Sequence, residues 1–279
     1  MGGAHCTERQ GLRPGAWLRC AAVAGLLAAA QAIAAPAGSH AASTAAPRTT
    51  SDWTRIESRI ESGYFTQDAS GLAALAATLP AGESRAGDTR DREWRSYYSA
   101  LLAYRLALLA QTDETRAWPL TERCVNALDQ TLVLEPDSAE ALALQSACLA
   151  LQSLLDPWRS PLSAPLSLAR IDKALKLAPD NPRVLLLGAV AAADRPRVFG
   201  GDPQRAFTLL ERAVSAFEAQ RAGPPGQPGW GAAEAFTSLA QDYLTRGDAV
   251  AARDVLERAL LVAPGFAQAR RLMAQIVSG

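Results

Sequence analysis

Residues 233–266 read AEAFTSLAQDYLTRGDAVAARDVLERALLVAPGF, and their apolar positions follow a helical period. Phe236, Leu239, Ala240 and Tyr243 fall at i, i+3, i+4 and i+7, one face of a first helix. Gly247 stops that helix and Asp248 caps a second, whose face is Ala252, Leu256, Ala259 and Leu260. Pro264 forbids its continuation. Two amphipathic helices joined by a tight turn cannot bury their stripes alone, so the pair must stack on neighbours.

The neighbours are legible upstream. Cys124, Leu128, Thr131 and Pro136 repeat the second half of this unit at the same spacing. So do Ser167, Ile171, Ala174 and Pro179, and, without the proline, Ala206, Leu210 and Ala213. The first half recurs at Tyr97, Ala100, Leu101 and Tyr104, at Leu142, Gln145, Ser146 and Leu149, and at Val184, Leu187, Gly188 and Ala191. Cap residues agree: Asp137 with Glu140 reads as a capping box, and Asn181-Pro182 and Asp202-Pro203 each put a cap before a first-turn proline. The pattern predicts helices near 52–62, 67–79, 91–111, 118–134, 138–155, 165–178, 183–194, 203–219, 231–246, 249–262 and 266–277. No segment sustains a period of two, so no sheet is expected.

Residues 233–266 resemble a tetratricopeptide repeat: Phe236, Leu239, Ala240, Tyr243, Ala252, Leu256, Ala259 and Pro264 stand at the family's eight signature positions. The resemblance covers most of the chain after residue 90. It implies an all-α, right-handed α-solenoid of stacked antiparallel helix pairs over 51–279, with 233–266 the best repeat. The upstream pairs carry extra residues, which predicts lengthened loops at 112–117, 156–164 and 195–202. The resemblance further implies a protein–protein adaptor or scaffold. The family's carboxylate-clamp Lys and Asn are replaced here by Thr237, Gln241, Leu185, Ala189, Ala143 and Ala147, which argues against capture of a peptide C-terminus.

The first 50 residues carry a different signature. Arg9, Arg13 and Arg19 precede an apolar run from Cys20 to Ala30, and Ala32-Ile33-Ala34 offers a small-residue cleavage site. This predicts a Sec-type signal peptide over 1–34, a disordered linker over 35–50 and a periplasmic protein with no membrane span after cleavage. Cys20 follows Arg19 rather than a small residue, which argues against a lipoprotein. The whole chain has 28 basic and 28 acidic residues; positions 1–50 hold four arginines and Glu8, so 24 and 27 remain, a net of −3. That balance makes no electrostatic case for nucleic acid. Two lysines among 28 basic residues, with abundant alanine, fit a GC-rich bacterial genome.

Candidate chemistry is sparse. Both histidines, His5 and His40, precede the predicted fold, so no Ser-His-Asp triad and no histidine-ligated zinc can form within it. No nucleotide-binding glycine motif occurs, and no cofactor, metal or catalytic residue is expected. RPRVFGGDPQRA (195–206) looks like a phosphate loop, but Asp202 already places a carboxylate on the helix end, which favours a structural turn. Arg246-Gly247-Asp248 likewise supplies a stop and a cap before it supplies an adhesion tripeptide. Glu57 and Glu61, one turn apart, have the spacing for acid–base work, though a solvated helix face looks the same.

Arg116, Trp118, Trp158, Arg159, Arg195, Arg197 and Phe199 fall in or beside the three loops and are the candidate interaction rim, since Trp and Arg are enriched at binding hot spots. Helices 138–155 and 183–194 are apolar nearly all round, which requires either an apolar inner groove or one filled by the protein itself. An open groove would suit an apolar small molecule or lipid, including one handed to a transporter, the alternative to a protein partner. Cys124 and Cys148 stand 12 residues either side of Pro136, at the same height about 18 Å from the turn. They either form a disulfide or point past each other as small buried residues.

Overall fold

The computed structural model describes residues 50–79, 89–156, 158, 160–193, 201–220 and 228–278. The leader and linker expected over 1–50 lie, apart from residue 50, outside them. Eleven helices and no strand occur among the described residues: α1 (Thr50–Phe65), α2 (Ala69–Thr78), α3 (Thr89–Leu109), α4 (Glu114–Leu134), α5 (Ala139–Leu155), α6 (Ser160–Leu177), α7 (Pro182–Ala193), α8 (Pro203–Ala219), α9 (Ala232–Thr245), α10 (Ala249–Val262) and α11 (Ala267–Ser278).

Consecutive helices pack as antiparallel hairpins, α3 on α4, α5 on α6, α7 on α8 and α9 on α10, and each hairpin packs on the next through α4–α5, α6–α7 and α8–α9. The small residues of the repeat pattern mark those contacts. Cys124, Leu128 and Thr131, Ser167, Ile171 and Ala174, Ala206, Leu210 and Ala213, and Ala252, Leu256 and Ala259 are all buried. The result is an all-α solenoid with two rows of helices. The even-numbered row buries one stripe and exposes the rest, while α3, α5 and α7 of the odd-numbered row are buried nearly all round.

The caps explain most boundaries. Asp202 Oδ1 accepts from the backbone N–H of Gln204 and Arg205 with Pro203 at the first helical position. Asp202 and Pro203 therefore punctuate the start of α8, while residues 195–200 of the glycine-rich turn lie outside the described residues. Asn181 caps α7 and Asp248 caps α10 in the same way. Gly247, at φ +83°, ends α9 in the left-handed conformation that glycine adopts without a Cβ penalty.

Three expectations are corrected. The capping box at Asp137–Glu140 does not form: α5 starts after Ser138 without a side-chain cap, Asp137 pairs with Lys173, and Glu140 turns inward. Helices α4 and α6 start at Glu114 and Ser160 rather than near 118 and 165, which shortens two of the three expected loops to 110–113 and 156–159. Pro119 and Pro165 were the misleading residues, each standing in the second turn of its helix rather than at the start. Each removes one ladder N–H, and the carbonyls left over belong to the exposed residues Thr115 and Pro161, where water can serve them. Third, Glu57 and Glu61 lie on no solvated face; both are buried.

Candidate functional site

The inner row would present a groove if the solenoid were open. It is filled by the protein itself. Parallel helices α1 and α3 pack side by side: Trp53 stacks on Tyr98 with ring centroids 5.6 Å apart and donates to Asp91 Oδ1 at 3.1 Å. Across the row, the segment before α9 folds back onto them. The Gly229 N–H donates to Glu57 Oε1 at 2.9 Å, and the buried Trp230 donates from Nε1 to the Tyr97 hydroxyl at 2.9 Å. Gly231, at φ +107°, permits this approach; a Cβ there would stand 2.8 Å from Phe217 Cζ. At the far end of α1, Phe65 meets Phe266 at 4.6 Å between centroids. Of the six groove positions, Thr237, Leu185, Ala189, Ala143 and Ala147 are accordingly buried, and Gln241, near the end of α9, is exposed.

Polar residues run through this seam as two connected groups. In the first, Tyr98 donates to Glu57 Oε2 at 2.8 Å, while Glu140 accepts from Arg183 Nη2 and Asn181 Nδ2, both at 2.7 Å, and from the Tyr97 hydroxyl at 3.3 Å. In the second, Arg105 is 3 % exposed and grips Glu61 with both Nε (2.9 Å) and Nη2 (3.0 Å) and also donates to Glu234 of α9. Its guanidinium lies over the rings of Tyr64 and Trp230, 4.3 and 5.2 Å from their centroids. Four carboxyl groups thus face two guanidinium groups away from water.

That imbalance shows in proton affinity. Burial pushes Glu57 above the usual carboxylate range, against the hydrogen bonds from Tyr98 and Gly229. Burial, reinforced by the charge of Glu234 and opposed by Arg105, pushes Glu61 up to about 8. Because its folded pKa lies above the ordinary value of 4.5, the folded state holds a proton that the unfolded state releases. The stability this contributes is complete below about pH 4.5 and is lost as pH rises through about 8. Glu61→Gln is therefore expected to flatten the fall of melting temperature between pH 5 and pH 8, measured by thermal denaturation at constant ionic strength. An unchanged slope would show that Glu61 is ionised throughout.

This seam ties α1, α3 and α9 together. Glu57 and Glu61 are buried and Glu140 and Glu234 half-buried, each paired as above, and among the described residues no group of three His, Cys, Asp or Glu side chains could hold a metal ion.

The rim residues are dispersed. Arg116 is exposed in the first turn of α4, and its N–H donates to the capping Asp113. Trp118, half-buried, lines a groove between α4 and α6 together with Leu149, Leu162 and Leu166. Trp158 is 93 % exposed between α5 and α6, and Leu154, Leu162 and Leu166 are also exposed. Arg159, Arg195, Arg197 and Phe199 lie outside the described residues. The structure therefore places Trp118 in the α4–α6 groove and leaves Trp158 and Arg116 on solvent. The seam residues escaped the pattern reading. One signal was available: Arg105 and Arg183 interrupt apolar runs, YRLALL and PRVLLL, where a charge must find a buried partner.

Cys124 of α4 and Cys148 of α5 have Cα atoms 6.3 Å apart with their sulfurs in bonding contact. The separation of 24 residues corresponds to about 3 kcal/mol from loop closure. Protein isolated without reductant should show no free thiol from this pair after unfolding, and dithiothreitol should lower its melting temperature. Two titratable thiols would refute the bond.

The fold and its filled inner row define a TPR-like α-solenoid. Two solved structures are similar to it. HusA haemophore from Porphyromonas gingivalis matches with a TM-score of 0.51 at 24 % identity, over 70 % of this chain and 91 % of that one. A thermophilic TPR protein of Thermus thermophilus matches with a TM-score of 0.49 at 14 % identity, over 83 % of this chain and all of that one. No protein-family model and no curated protein matches the chain.

Proposed function

We propose that the chain is an exported, non-catalytic bacterial helical-repeat protein that binds another protein through its outer row, as an adaptor or scaffold. The observation that carries this reading is the apolar exposure on the α4–α6 side. Leu162 and Leu166 stand one turn apart on α6 and line a groove with Trp118, and Trp158 and Leu154 are exposed in the turn before α6 and the last turn of α5. Large apolar side chains in contiguous exposure mark interaction surfaces, and tryptophan is the commonest anchor. The inner row is unavailable to a partner because α1 and the 229–234 segment already fill it.

Export rests on the leader composition alone, with cleavage expected after Ala34; N-terminal sequencing of the protein recovered from the periplasm reads that directly. The partner is tested by placing a photo-crosslinking residue at Leu162 in living cells and identifying adducts by mass spectrometry. One reproducible protein adduct, lost in Trp158→Ser, is the expected result. No reproducible adduct from position 162 or 166 would overturn the reading.

The apolar-ligand alternative loses its inner groove.

A further inference from the structure

The even-numbered helices stand apart, and each successive pair leaves a groove floored by the odd-numbered helix between them. The groove between α2 and α4, floored by α3, is the most capacious of these, at about 590 Å³. Leu102 and Leu106 of α3, both buried, form its floor with Ala103, and Leu120 of α4 lines its wall. Above this apolar surface stand Arg92 and Arg95 of α3 and Arg123 of α4, beside the hydroxyl groups of Ser96 and Ser99. No acidic residue lines it among the described residues.

The groove between α8 and α10 is lined by Glu211, Glu218 and Asp254 against Arg258, the one between α6 and α8 by Arg205 and Arg212 with Asp202, and the one between α4 and α6 by Glu122. Of these grooves, the one between α2 and α4 combines the most arginines with no acid among its described lining residues. A fold domain with a net charge of −3 thus gathers three arginines over one apolar floor. Arg95 is already paired with Asp91 at 2.7 Å. Arg92 makes only a long contact, 3.4 Å, with the Thr89 hydroxyl, and neither Arg92 nor Arg123 forms an ion pair with another described residue. Two guanidinium groups therefore remain to meet an anion.

We propose that the α2–α4 groove binds an amphipathic anion: a hydrocarbon body lying on Leu102, Leu106 and Leu120, with a carboxylate or phosphate head held by Arg92 and Arg123. This site is separate from the α4–α6 surface and goes beyond the adaptor reading. The apolar floor supplies affinity for the chain, since burial of each methylene group contributes about 0.8 kcal/mol. The arginines select the charged head, because the guanidinium fork matches the geometry of both carboxylate and phosphate. Neither part is sufficient: a neutral chain leaves the arginines without an anion, and a small anion leaves the floor wet.

The test uses the mature protein and four probes below their micellar concentrations: dodecanoate, dodecyl phosphate, 1-dodecanol and inorganic phosphate, each titrated by calorimetry, with stoichiometry from native mass spectrometry. The expected result is one molecule of dodecanoate or dodecyl phosphate per chain, with 1-dodecanol and inorganic phosphate each at least about tenfold weaker. Whichever of the two anionic probes binds more tightly identifies the head group. Arg92→Ala with Arg123→Ala should weaken both by about tenfold or more while leaving the melting temperature in place, because both side chains are on the surface. Ala127→Trp should block the groove. Equal affinity for 1-dodecanol, no effect of the double arginine substitution, or binding of several molecules per chain would each overturn the proposal. The double arginine variant keeps the test decisive should Ala127→Trp fail to fold.

Discussion

Replacement of Arg105 by alanine should cost about 3–5 kcal/mol at neutral pH, the largest loss expected from a single polar residue in this chain. Arg105 is the cation for two carboxyl groups, the buried Glu61 of α1 and the half-buried Glu234 of α9, and it joins three helices that are far apart in sequence. Removing it leaves both acids with no counter-charge in a site that excludes water. The escape of Glu61 is protonation, so the penalty should depend on pH in a defined direction. Without the guanidinium, the folded pKa of Glu61 rises further above its unfolded value, and the folded variant holds its proton to higher pH. The destabilisation should be smaller near pH 5, where protonation is easy, and larger near pH 8, where the Glu61 proton must be held against solution. Urea denaturation of the wild type and Arg105→Ala at the two pH values measures this. Adding Glu61→Gln and Glu234→Gln should remove most of the pH difference, though not the lost packing over Tyr64 and Trp230. A penalty that is equal at pH 5 and pH 8 would mean that the acids find water, and that the seam is less dry than the structure shows.

The repeat was legible because its signal is local. Residues such as Ala252, Leu256 and Ala259 fix a helix face by spacing alone, and Asp202, Asn181 and Asp248 mark starts through hydrogen bonds that span two or three residues. Prolines misled where their position in the helix depended on an earlier cap. Asp113 starts α4 five residues before Pro119 begins to matter, and a lone ladder bond lost on the exposed side does not end a helix. The seam was illegible for a different reason. Tyr97 and Trp230 are 133 residues apart, and nothing in the spacing of either indicates that the chain between α8 and α9 returns across the row. What the pattern did disclose was the consequence: α5 and α7, apolar all round, need cover on every side. The candidate surface on the outer row was half legible. Trp118 and Trp158 were singled out as aromatic residues near loops, whereas the exposure of Leu154, Leu162 and Leu166 depends on which face of α5 and α6 the stacking leaves outside.

The return of the chain across the inner row rests on one side chain in particular, and Trp230→Ala should cost about 3–5 kcal/mol. Trp230 is buried, its indole N–H is satisfied by Tyr97, and its ring lies 5.2 Å from the Arg105 guanidinium. Truncation removes a large apolar surface from the seam, leaves a cavity that helices packed on several sides cannot collapse into, and deprives Arg105 of one of its aromatic faces. Trp230→Phe retains most of the packing and loses only the hydrogen bond to Tyr97, so about 1 kcal/mol is expected. Trp158 supplies the internal comparison: it is the same residue type at 93 % exposure, and its replacement by alanine should stay within about 0.5 kcal/mol. Hydrogen exchange separates a local from a general effect. In Trp230→Ala the amides of α9 should lose protection, because the contacts of the 229–234 segment with α1 and α3 are the ones released, while α4 and α5, tied by their own packing and by Cys124–Cys148, keep theirs. Equal loss of protection in α5 and α9 would show that the seam and the stacked pairs unfold as one unit; a cost for Trp230→Ala no greater than for Trp158→Ala would show that α9 holds its place without it.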